Sequence, residues 1–484
     1  MSSLSDLFPA GAGKEVSFTA SGAISSGATV ILNSDGTVSV VSGQNYATGS
    51  EVVFDADDSP NDAVSVYDST GDRVVIAYRD GDDGFVVVGN VSGSSITFGT
   101  PVAFHSASYS VLELGMVYDS NADRIVILYK ENTGGDYGYA RVGNVSSNSV
   151  SFGTKVAFNS ATSRYPVGVF DSDNNKVVIY YNGNTAKVGT ISGTSISFGS
   201  AVNLTDGEDG EGINAVFDSN ANKHVVTFRK QGGGGSTAES RVGTVSGTSI
   251  SFGSLVQFTT AARSARGRPM AFDSTNNKVV IFFSDSNNSN TLSAVVGTVS
   301  GTSISYGTKV ATSLSGLDSD ALAPSQAIFD SNAGVVACVL ETSNETYLLI
   351  GKVNGTSIDL DPLITLNGGE EGRYPTMTYD STAQKAVISY MDVGNSNDGT
   401  SVVTTLPASN VTADNFLGIS TGAISDGSSG SITVKGGVSS NVTGLTANST
   451  YYVAKDGTLT TTSTNNVLAG RALSSTSIDL DYST

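Results

Sequence analysis

Phe272-Asp273-Ser274-Thr275-Asn276-Asn277-Lys278-Val279-Val280-Ile281-Phe282-Phe283 is the stretch that decides the fold, because the chain keeps returning to it. The same aromatic-Asp-Ser triplet begins at Tyr67, Tyr118, Phe170, Phe217, Phe272, Phe329 and Tyr379, seven copies spaced 47 to 57 residues apart. A period of that length marks a repeat architecture. A short polar turn and a β-branched run follow each triplet, so the two sides read as a hairpin. The Asp is the turn residue, its carboxylate placed to accept backbone N–H groups. Downstream come a variable loop, a third strand such as Arg241-Val242-Gly243-Thr244-Val245, a Ser-Gly-Thr-Ser turn, and a fourth strand running from Ile250 to Phe258. Four antiparallel strands per unit make one propeller blade. Ile196, Phe198 and Val202 alternate with small or polar residues, which gives the fourth strand one face for the core between blades.

The last unit runs out after Thr400–Leu406 and has no fourth strand, whereas residues 46–54 have the form of one and sit just ahead of the first triplet. The expected fold is therefore all-β: a seven-bladed β-propeller over 46–407 whose ring is closed by the N-terminal strand, leaving no free edge. An open solenoid is the alternative, but it needs caps that neither end resembles. The flanks resemble each other. Gly22-Ala23-Ile24-Ser25-Ser26-Gly27 matches Gly422-Ala423-Ile424-Ser425-Asp426-Gly427, and Asp35-Gly36 and Asp456-Gly457 both mark tight hairpins. Residues 12–45 and 408–484 read as one β-sandwich-like or β-roll domain into which the propeller is inserted, with two independent domains as the alternative. Residues 1–11 read as an arm.

Gly, Ser, Thr, Val, Asn and Asp dominate, and only 14% of residues are charged. That is a strand-and-turn alphabet. The net charge of −20 comes from a shortage of Lys and Arg, which argues against a nucleic-acid partner. No 18-residue apolar span suggests membrane insertion. The start, Met1 to Ala10, lacks the basic and apolar segments of a secretion signal, so synthesis in a cytoplasm without classical export is expected. Cys338 lies in an apolar run and reads as a buried hydrophobe.

Chemistry is sparse. His105 and His224 are too few and too far apart in the repeat for a His-based metal centre. No Trp occurs, so Trp-containing propeller signatures are absent. Acidic pairs at 206–211 and at Glu370-Glu371 lack any sign of the enforced spacing that glycoside cleavage needs. No enzyme activity and no cofactor are expected. Calcium is the one cation considered, at Asp55, Asp57, Asp58 and Asp62 or at Asp80, Asp82 and Asp83, because hard carboxylate oxygens crowd there. Binding is expected instead at the loops from each fourth strand to the next first strand, which differ sharply between units: Arg164 and Tyr165, then Arg263, Arg266 and Arg268, then Arg373 and Tyr374. Variable tips on a constant scaffold are how binding surfaces are commonly built.

The run Phe416-Leu417-Gly418-Ile419-Ser420 through Gly427, with Ser449-Thr450-Tyr451-Tyr452-Val453 and Leu468-Ala469-Gly470-Arg471-Ala472-Leu473, resembles a module of tail-fibre and virion structural proteins of tailed, especially marine and cyanobacterial, bacteriophages. Val299-Ser300-Gly301-Thr302-Ser303-Ile304-Ser305-Tyr306-Gly307 resembles repeats in similar virion proteins. The resemblance implies a non-enzymatic tail fibre, tail appendage or capsid decoration on the virion. Its implied partners are other virion proteins, further copies of itself, and a host surface glycan or receptor. A lectin-like adhesin propeller is the alternative.

Overall fold

The computed structural model describes residues 15–56, 60–106, 109–205, 210–232, 235–260, 269–317, 326–342, 345–463 and 466–480. Within them the chain is built of β-strands and two three-residue 3-10 turns, with no α-helix. It divides into two compact units, residues 48–405 and residues 1–47 with 406–484.

The larger unit is a propeller-like repeat of seven antiparallel sheets. The first is typical: Asn61–Asp68 pairs with Arg73–Asp80, which pairs with Asp83–Ser92, and the outer edge is Ser95–Phe98 followed by Val102–His105. All seven triplet aspartates are buried, and each points its Oδ1 back at its own turn. Asp273 accepts N–H bonds from Thr275 and Asn276, both at 2.9 Å, and Asp68, Asp119, Asp171, Asp218, Asp330 and Asp380 do the same two and three residues on. The residue after those acceptor bonds, such as Asp72, Asn277 or Gly334, is left-handed and brings the chain round into the second strand.

The fourth strand differs from its expected form. It is two short pieces, Ser249–Phe252 and Val256–Thr259 in the fourth sheet, both paired with the third strand Gly235–Ser246. Phe252 faces Gly243 and Val256 faces Ser240, so the outer strand uses one more residue than its partner, as in a β-bulge. The break falls at Gly253, whose N–H donates to Val242 O at 2.9 Å. A Cβ on Gly253 would sit 1.8 Å from the carbonyl oxygen of Thr302, in the hairpin turn of the following sheet. The same approach recurs at Gly99 to Asn148 (2.0 Å), Gly153 to Thr194 (1.9 Å), Gly199 to Thr248 (1.9 Å) and Gly307 to Thr356 (1.7 Å). Only a glycine lets neighbouring backbones come this near.

The N-terminal segment takes its place in the seventh sheet. Val52–Asp55 pairs with Asp398–Thr405, Ser401 facing Val52 and Gly399 facing Asp55. Gly49 N–H donates to Val403 O at 2.9 Å, and a Cβ on Gly49 would meet Ser94 O of the first sheet at 1.7 Å. The sixth sheet alone has no glycine at this position; Asp361 stands there, its N–H on Ile350 O at 2.8 Å. The reason lies in its neighbour: the seventh sheet has no third-to-fourth-strand turn to present a carbonyl, because its outer strand comes from the other end of the repeat.

Apolar side chains fill the space between consecutive sheets. Val126, Leu128 and Val142 of the second sheet meet Val177, Ile179 and Ile196 of the third. Val74, Ile76 and Ile96 of the first sheet share a core with Phe54, Val387 and Val403 of the seventh. Tyrosines add polar links across the same seams: Tyr118 Oη reaches Thr70 Oγ1 at 2.8 Å, and Tyr67 Oη reaches Thr382 Oγ1 at 2.7 Å.

In the smaller unit the two chain ends interleave, Glu15–Thr19, Ser429–Val434, Phe416–Ser420, Thr29–Leu32 and Val38–Val40 lying side by side in one sheet. The matched glycine-bounded segments pair with each other, Ile24 N donating to Ile424 O (2.9 Å) and Ile424 N to Ile24 O (2.8 Å). A second sheet, containing Thr450–Val453 and Val467–Ser474, packs on the first through Ile31, Phe416, Tyr451, Val453 and Ile478. Asp35 and Asp456 each bind the N–H of the Thr two residues on, at 2.9 Å, fixing the two hairpins.

The glycine contacts make a direct prediction. Gly253→Ala should destabilise the protein by about 2–4 kcal/mol, because a backbone carbonyl has to move. Asp361→Ser, at the position without an opposing turn, should stay within about 1 kcal/mol. Urea midpoints of the two variants check this.

Candidate functional site

The inner strands begin alike. Five residues before the triplet aromatic, in the five sheets where that position is described, Asp62, Glu113, Tyr165, Gly212 and Tyr374 adopt left-handed backbone, with φ of 52°, 57°, 48°, 57° and 53°. Register shifts at Asn61/Val64, Leu112/Gly115, Glu211/Asn214 and Arg373/Thr376 mark bulges at this point, which re-aim the side chains. A left-handed non-glycine residue is uncommon and costs energy, more so for a bulky ring. Asp62, Glu113, Tyr165 and Tyr374 all border one cavity of about 690 Å³, lined by the inner strands of all seven sheets.

Backbone N–H groups of these left-handed residues are caught by carboxylates of the preceding sheet. Asp62 Oδ2 accepts from Glu113 N (3.4 Å), Glu113 Oε2 from Tyr165 N (2.7 Å), and Glu341 Oε2 from Tyr374 N (2.8 Å). Acidic side chains of the first, second and fourth sheets are paired with a cation on the second strand of their own sheet: Asp62 with Arg79 (3.6 Å), Glu113 with Lys130 (3.0 Å) and Glu211 with Arg229. Burial pushes the Glu341 carboxyl up, with Glu371 nearby adding to it. Burial likewise raises the Tyr374 phenol, helped by Asp62 and Glu341, so it stays a neutral donor. Deeper in, Ser65 Oγ and Thr376 Oγ1 are 2.9 Å apart and both buried, and Gln326 Oε1 accepts from Met377 N at 3.1 Å. That network ties the first, sixth and seventh sheets beneath an apolar wall that includes Leu114, Met116, Ile213, Met270 and Met377.

The sequence-predicted residues separate here. Tyr165 and Tyr374 border the cavity. Arg164 and Arg373 are exposed beside them, Arg164 donating its backbone N–H to Asn182 Oδ1 (2.7 Å) and Arg373 gripping Glu371 through Nε and Nη2 at 2.9 and 3.1 Å. Arg263, Arg266 and Arg268 lie outside the described residues, as do Asp57, Asp58 and most of the acidic loop, 206–209. Asp62, weighed as a calcium ligand, faces Arg79. Among the described residues no three His, Cys, Asp or Glu gather as metal ligands, Asp80, Asp82 and Asp83 included. Sequence reasoning passed over Arg79, Glu113, Lys130 and Gln326. The fixed offset of five residues from the triplet was the signal that could have found Glu113.

His105 and His224 serve packing. His105 Nδ1 lies 3.3 Å from Glu131 and its Nε2 2.8 Å from Tyr109 O. His224 is fully buried where the second strands of the other sheets carry an apolar residue such as Val279 or Ile125, and its Nε2 lies 3.3 Å from Asp171 Oδ2 of the third sheet. Burial depresses its basicity, so the ring is neutral, Nε2–H donating and Nδ1 without a partner. Burial opposes ionisation of Asp171, but the His224 and Asn174 hydrogen bonds outweigh it and hold the carboxyl below its usual value.

No protein-family model matches this chain, and no curated protein matches its sequence.

His224 carries a pH prediction. Its folded-state pKa lies below the unfolded value, so unfolding takes up a proton and stability falls as pH drops below about 6.5. His224→Val should flatten the fall between about pH 6.5 and 5, where one proton contributes up to about 1.4 kcal/mol per pH unit. Denaturant midpoints across that range, with wild type alongside, read the difference.

Proposed function

We propose that this chain is a non-enzymatic virion surface protein. In this reading a closed seven-bladed propeller presents a binding face, and the unit made from both chain ends attaches it to the particle. The observation that carries the reading is the contrast within each repeat. Seven buried turn aspartates and six close-approach glycines repeat with little change, while the segments leading into the inner strands carry Asp62, Glu113, Tyr165, Gly212 or Tyr374 at one equivalent position. A scaffold held constant under varied tips is the economy of a display protein. Inner strands that touch in succession, with Gly372–Asp380 also touching Asn61–Asp68, support closure. So does the pairing of Val52–Asp55 with the last repeat. The flanking sequence resembles virion modules, which favours attachment to a particle over a free adhesin.

Two experiments test it. Closure predicts that Val52→Cys with Ser401→Cys, in a Cys338→Ser background, forms a disulfide on mild oxidation and shifts the gel mobility of the unreduced chain. Free thiols in the folded protein would argue for an open array. For function, antibody against the chain should label purified phage particles from its source. A tagged chain lacking 408–484 should fail to incorporate, whereas Arg263→Ala/Arg266→Ala/Arg268→Ala should incorporate normally. Particles without label would remove the reading.

A further inference from the structure

The cavity in the larger unit carries an inference that rests on the surface-display reading and names a ligand class for it. Two tyrosines stand at left-handed positions around it, Tyr165 in the third sheet and Tyr374 in the seventh. The fourth sheet has Gly212 at the same place, with the same backbone, so the fold accepts glycine there. A bulky aromatic at positive φ is strained, and strain of this kind collects at ligand sites. The two rings thus stand at a left-handed position that glycine fills in the fourth sheet, and carboxylates of neighbouring sheets fix their backbone N–H groups.

The electrostatics narrow the ligand. Asp62 with Arg79 and Glu113 with Lys130 are matched pairs, so these charges offset one another and still offer hydrogen-bond donors and acceptors. An anion would meet Asp62 and Glu113, and a cation would meet Arg79. Rings that cover an apolar ligand face, beside charged but balanced groups able to bind hydroxyls, are suited to a neutral sugar. The volume of about 690 Å³ lies inside the about 300–1,000 Å³ typical of small-molecule sites.

We propose that this cavity takes the end of a neutral saccharide, with Tyr165 and Tyr374 as its contact rings. The test uses the full chain, and saturation-transfer NMR followed by calorimetry. The probes are glucose, galactose, N-acetylglucosamine and N-acetylgalactosamine, with glucuronic and sialic acids as anionic counterparts. At least one neutral sugar should bind, more tightly than the acids. Tyr165→Gly/Tyr374→Gly should lower that affinity at least tenfold while leaving the melting temperature unchanged or higher, since glycine relieves the backbone. The proposal is overturned if no neutral sugar binds, if the acids bind better, or if the double variant binds as wild type does. Loss of binding in Arg263→Ala/Arg266→Ala/Arg268→Ala alone would likewise overturn it, moving recognition to that loop. Particle labelling is read separately, so a virion protein with an empty cavity and a sugar-binding protein absent from particles give different results.

Discussion

The close approach of one sheet's outer glycine to the next sheet's turn carbonyl sets the spacing on which the larger unit depends. Gly99, Gly153, Gly199, Gly253 and Gly307 each leave room for a carbonyl that any side chain would displace, and Gly49 does so across the seam between the seventh and first sheets. With edges this near, the inner faces of adjacent sheets can share continuous apolar cores, as Val178 and Tyr180 do with Val226 and Phe228. Loosening the edge would open those cores to water, and close packing is what gives buried side chains their full worth. The bulge beside each glycine belongs to the same constraint, since it lets the outer strand step round the intruding turn.

Much of this was legible because repetition multiplies weak signals. One Asp before a polar turn says little, but seven at a steady period specify both the hairpin and its register, and Asp273 and its counterparts hold their turns as the spacing implies. The missing fourth strand after Leu406 was equally readable, since a repeat defines what ought to follow. The broken outer strand was not legible. Gly253-Ser254 in an alternating run reads as a weak spot within one strand, and its true cause, Thr302 O, belongs to another sheet. Asp361 shows the same limit from the opposite side, because its departure from glycine has meaning only once its neighbour is known to lack a turn.

The candidate site was half legible. Tyr165 and Tyr374 stood out as unusual residues in variable segments, but that reasoning gave equal weight to Arg164 and Arg373, which lie outside the cavity lining. What separates them is the left-handed twist of a single residue, which turns one side chain inward and leaves its predecessor exposed. Arg79 and Lys130 were hidden for another reason. Each is the last residue but one of a second strand, where a basic residue reads as a solvated end, and each acquires its role only through an acidic partner on the strand before it.

The pairing of Val52–Asp55 with Asp398–Thr405 has a consequence in time. During synthesis the early strand emerges long before its partner exists, and its ladder groups and the Phe54 ring wait unpaired while six sheets are made. Non-local pairing of this kind is slow and leaves the strand open to the wrong neighbour. The local sequence is suited to that wait: Glu51 and Asp55 bracket Val52-Val53-Phe54, the arrangement by which charged gatekeepers discourage a short apolar strand from joining a foreign edge. The order in which the ribosome delivers this chain thus bears hardest on a short apolar segment, and a carboxylate stands on either side of it.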